Sequence, residues 1–204
     1  MATFASWSSE DVDGFFQKYE DIKTFFAEAE QDIKFNEQKL GEGVSAPAVL
    51  QLRYAGFHVL QSLTTDGQES EKHRMQAKDH AERSAHDACE AAIDILLKRI
   101  QAFEHDYRLV QIKEVLPAWV DMKVRVQEID DCLHVTYPRN HVSERPGLRA
   151  FRDELLKIER TLNAGRDELN KKMRQEADKR ILAVGGFFVA VLGTVIVLMK
   201  LYFL

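Results

Sequence analysis

Cysteine is almost missing from this 204-residue chain, which has only Cys89 and Cys132. Two cysteines cannot build a disulfide framework or a cysteine-only zinc site, so nothing points to an oxidising compartment. Turn formers are scarce too. Ten glycines and four prolines come to about 7% of the chain, against roughly 12% in average usage. That scarcity argues against a sandwich, a barrel or a disordered chain and favours a few long helices. Positive charge is not in excess either. With 28 basic and 33 acidic residues the formal net charge is −5, so no sequence-wide attraction draws the chain to nucleic acid. The sequence has no Gly-rich phosphate loop, Gly-x-Ser-x-Gly elbow, Cys-x-x-Cys or His-Glu-x-x-His. Period-two alternation between hairpin turns is absent, so strands are not expected.

One long apolar run dominates what is present. Residues 181–199 read ILAVGGFFVAVLGTVIVLM, with the Thr194 hydroxyl as the one polar side chain. A helix of that length extends about 28 Å, close to the roughly 30 Å hydrocarbon core of a bilayer. A core helix of a soluble protein would show a polar stripe, and this run shows none. Lys200 can snorkel, and Tyr202 is placed as an interfacial anchor. The start, MATFASWSSEDVDG, is acidic and unlike a signal peptide. The expected layout is therefore a cytoplasmic domain over 1–180 and a single-pass tail anchor over 181–204. Lys171, Lys172, Arg174, Lys179 and Arg180 precede the span and face only Glu176 and Asp178 nearby. By the positive-inside rule they predict a cytoplasmic domain, and with Lys200 they form a candidate lipid-headgroup patch. Gly186, Ala190 and Thr194, spaced by four, and Gly193 form a candidate surface for close helix approach within the membrane.

The remainder reads as an all-α, elongated antiparallel bundle or coiled coil, with helices expected at about 9–41, 46–65, 69–115, 117–134 and 146–180. Ser8 with Asp11 suggests a capping box. Val12, Tyr19, Phe26, Ile33 and Leu40 recur every seven residues, with Phe15, Ile22 and Ala29 offset. Val49, Leu52, Gly56, Val59 and Leu63 form the expected buried line of the second helix. The third carries an alanine seam from Ala81 to Ala92 that continues through Leu96, Ile100, Phe103 and Tyr107. Pro117 is expected to kink the path into the fourth. The fifth, with Gly165 on its seam, is expected to run unbroken into the membrane. Residues 10–42 hold ten acids and four lysines, and residues 145–180 hold eleven basic and seven acidic residues. The first and fifth helices should therefore be neighbours.

A search for chemistry returns little. His73, His80 and Asp87 fall seven apart on the third helix, and Glu82, His86 and Glu90 fall four apart beside them. Either set could supply two ligands to a divalent ion. Both sit among charged residues and read as a solvated face opposite the alanine seam, so no metal or cofactor is expected. Arg53/His58, Arg74/His80 and Arg99/His105 have the spacing of some helical ribonucleases, but fourteen arginines and seven histidines produce such pairs by chance. Cys89 and Cys132 read as small, inert thiols. Two functions follow as expectations. The first is a non-catalytic tether, scaffold or assembly module that self-associates or holds a cytosolic protein at the bilayer. The acidic first helix or the loop over 134–146 would be its docking surface. The second is a membrane-permeabilising effector, which Thr194 alone equips poorly with a polar lumen.

Overall fold

The computed structural model describes residues 9–41, 43, 45–133 and 147–202. The expected Ser8–Asp11 cap and the loop over 134–146 lie outside the described residues. The chain is all-helical: α1 (Ser9–Lys39), α2 (Ala46–Thr64), α3 (Gly67–Asp106), a 3₁₀ turn (Ile112–Glu114), α4 (Trp119–Asp131), α5 (Leu148–Ala164) and α6 (Arg166–Tyr202). No strand occurs among the described residues. Gly41 and Gly67 take positive φ of 63° and 59°, which lets the chain leave α1 and enter α3 without a Cβ penalty. The contacts divide the chain into two compact units. One comprises Met1–Lys98 with Glu128–Leu156, the other Arg99–Gln127 with Lys157–Leu204.

In the first unit, α1, α2 and the start of α3 share cores built on small residues. Ile22, Ala55, Ala77 and Ala81 form one, with Tyr19, Phe25 and Val59 against it. Ile33, Ala48 and Ala88 form another, with Leu52 against it. The alanines bring backbones close enough for side chain to main chain bonds between helices. Asn36 Nδ2 donates to Ala88 O at 2.9 Å and Ser84 Oγ to Ala48 O at 2.7 Å, while Tyr19 and Ser62 share a 2.9 Å hydroxyl bond.

This close approach corrects the expected face of α2. Ala48, Ala55 and Ser62 are its buried residues, spaced by seven. Val49 and Leu63 from the expected line are instead exposed. Phe26 of the expected α1 seam is also exposed, and Asp32 and Asn36 are buried in its place.

In the second unit, Phe103 packs its ring against Tyr107 at 4.8 Å and Trp119 at 6.0 Å between centroids. The Tyr107 hydroxyl donates to Asn170 Oδ1 at 2.9 Å. Here α3 ends at Asp106, not near 115, because the chain turns to return Ile112 and Trp119 to the buried side. Pro117 sits in the turn that opens α4, where its missing N–H has no cost. The expected rod from 146 into the span is interrupted at Gly165. A Cβ there would meet the Leu116 side chain at 3.0 Å, so the bare backbone makes room for that leucine.

Candidate functional site

The candidate membrane segment lies in α6, which is long and apolar enough to cross a bilayer. Every side chain described from Ile181 onward in this helix is exposed, including Phe187, Val189 and Leu192. A core helix would bury such a stretch, and none of the apolar window is buried. The Thr194 hydroxyl donates to Ala190 O at 2.9 Å, so its polarity is satisfied within the helix. A Cβ built at Gly186 or Gly193 would meet nothing within 4 Å, which leaves both glycines open to an approaching surface.

The basic residues before the span are less available than their count suggests. Lys171 pairs with Glu168 at 2.7 Å, Lys179 with Glu176 at 2.7 Å, and Lys172 with Glu114. Arg174 and Arg180 are exposed. Lys200 lies within α6, its side chain outside the described part.

A second exposed apolar surface was not expected from the sequence. Because α2 turns its small residues inward, Leu50, Tyr54, Phe57 and Leu60 face outward at 47, 47, 53 and 64% exposure. Between α1 and α2 this surface dips into a groove of about 570 Å³, lined by Phe16, Phe26, Val59, Leu60 and Leu63 among others. Such contiguous exposed apolar area marks an interaction site more often than a solvated face. Its signal in the sequence was the seven-residue spacing of Ala48, Ala55 and Ser62, which hydropathy alone ranks below the neighbouring leucines.

The expected acid–base pairing of α1 and α5 is present in the first unit. Asp32 is 2% exposed. It accepts from Arg149 at 2.9 Å and from Arg152, and Arg149 also reaches Glu28 at 3.2 Å. The Arg152 guanidinium lies 4.5 Å over the Phe35 ring. Cys89 is buried beside this group, and burial first, then the Asp32 charge, push its thiol up to about 12. A thiol so protonated is no nucleophile at neutral pH.

The histidines of α3 do not form the expected solvated face. His73 and His80 join His58 of α2 in a stack, with ring centroids 5.2 Å apart for His58–His73 and 5.4 Å for His58–His80. The Nδ1 atoms of His58 and His73 lie 3.0 Å apart, and His80 Nδ1 donates to Gln51 Oε1 at 2.6 Å. Burial, then the neighbouring imidazoles, lower the pKa of His58, and burial followed by Arg83 lowers that of His80. His86 is separate from this stack, with a side chain only 8% exposed. The spacings that suggested a ribonuclease carry other partners: Arg74 with Glu71, Arg99 with Glu159 and His105 with Arg108.

No protein family, curated protein or solved structure matches this chain.

Proposed function

We propose that this chain is a membrane-anchored, non-catalytic assembly module, with α6 held in the bilayer and the helices before it forming a bundle on the cytoplasmic side. The observation that carries the proposal is the exposure of every described apolar side chain of α6 from Ile181 onward. In water that surface would drive aggregation, whereas lipid removes its cost. Arg174 and Arg180, exposed just before the span, support the cytoplasmic orientation and headgroup contact. The α2 face, with Phe57 and Leu60 outward, supports a second apolar contact, and its partner in this proposal is a second copy of the chain. Anchoring confines copies to a plane and raises their effective concentration, so a modest apolar contact suffices. The internally bonded Thr194 hydroxyl favours an anchor over a pore lining.

The test has two parts. In fractionated cells the full chain should remain with membranes after alkaline carbonate washing, and a variant lacking 181–204 should become soluble. In intact membranes, crosslinking should trap homo-oligomers, and the pair Phe57→Glu and Leu60→Glu should abolish them. A full-length chain in the soluble fraction would end the anchoring proposal. Unchanged crosslinking in the double variant would end the assembly surface.

A further inference from the structure

We infer that His86, Asp87 and Glu90 on α3 form a binding site for one divalent transition-metal ion. His86 Nδ1 lies 3.9 Å from Asp87 Oδ1 and 3.7 Å from Glu90 Oε2. These separations are too long for hydrogen bonds. They fall within the range that donors about 2.1 Å from a common ion span, from about 3.0 Å at right angles to about 4.2 Å when opposed. The three ligand atoms all lie within 4.8 Å of one another.

The imidazole supplies the second, independent observation. The His86 side chain is 8% exposed, and both of its ring nitrogens are buried with no hydrogen-bond partner. Buried polar groups are nearly always satisfied, so an imidazole with neither nitrogen paired calls for a partner of another kind. A cation between Nδ1 and the two carboxylates provides it, and their two negative charges offset its desolvation. Binding through Nδ1 fixes Nε2 as the protonated nitrogen. His86 also lines a cavity of about 240 Å³ together with Glu28, Asp32 and Glu82. One nitrogen and two oxygens suit zinc, iron(II) or manganese(II), and three protein ligands leave positions for water.

The experiment uses the full chain in detergent micelles, stripped with a chelator and titrated with Zn²⁺ by calorimetry. One equivalent should bind to the wild type. His86→Leu, which keeps the site filled and apolar, should weaken binding at least tenfold while its circular dichroism remains that of the wild type. If His86→Leu fails to fold, the surface-side pair Asp87→Asn and Glu90→Gln serves, with the same loss expected. Variants His58→Leu and His73→Leu should bind as the wild type does. No uptake by the wild type, or equal uptake by the Asp87→Asn, Glu90→Gln pair, would overturn the site. Loss on removing His58 or His73 instead would move the ion to the histidine stack and overturn it equally.

Discussion

Asp32 occupies a seam position of α1 between Ala29 and Ile33, where an apolar residue would ordinarily stand. Its carboxylate is tolerated because Arg149 and Arg152 reach it from α5. Removing one member of such a group leaves buried charge uncompensated. Asp32→Asn should therefore lower stability by about 2–3 kcal/mol, the loss moderated because Arg149 retains Glu28. Urea unfolding checks this, and an unchanged midpoint would show the pairs to be ornamental. The histidine stack sets a pH dependence. His58 and His80 have folded-state pKa values below the usual 6.5, so the unfolded chain binds more protons as pH falls through 6.5. Stability is complete above that value and declines below it, until the pH passes the folded-state values. Asp79 beside His80 tempers the decline, while Arg83 deepens it. The melting temperature should drop between pH 7.5 and 5.5, and His58→Leu should flatten that drop.

At the scale of elements, α2 decides how the first unit is dressed. It faces α1 and α3 with Ala48, Ala55 and Ser62, because short side chains let Ser84 of α3 reach the Ala48 carbonyl and Tyr19 of α1 reach the Ser62 hydroxyl. Ala55→Leu should cost about 1–3 kcal/mol through overpacking. Leu50→Gln, on the outer face, should fall within about 0.5 kcal/mol of wild type. Thermal unfolding of both variants ranks them, and the reverse order would mean that the leucine face is the buried one. Heptad spacing showed that α1 and α2 would have seams. It did not show which residues would fill them, since hydropathy favours Leu63 over Ser62 and Phe26 over Asn36, and close packing chose the smaller or bonded partner each time.

At the scale of the whole molecule, the proposed anchoring rests on the lipid preference of one segment. A charged residue at the centre of a spanning helix costs about 2.5–3.5 kcal/mol on insertion. Val189→Arg combined with Leu192→Arg should therefore shift the chain from the carbonate-resistant to the extractable fraction. Arg174→Glu, outside the span, should leave it membrane-bound. If the double arginine variant fractionates as the wild type does, lipid insertion is not what holds the chain.

The sequence by itself determined the helical character, the alanine seam of α3, the kinship of acidic α1 with basic α5, and the long apolar segment of α6. Each is a property of composition or of spacing along one helix, which a linear read captures. Tertiary structure alone decided where α3 stops, where Gly165 interrupts the last rod, which face of α2 points outward, and that His86 lies buried beside two carboxylates. Those outcomes depend on how near two backbones can come and on which polar atoms then meet, and neither quantity is written in any single stretch of residues.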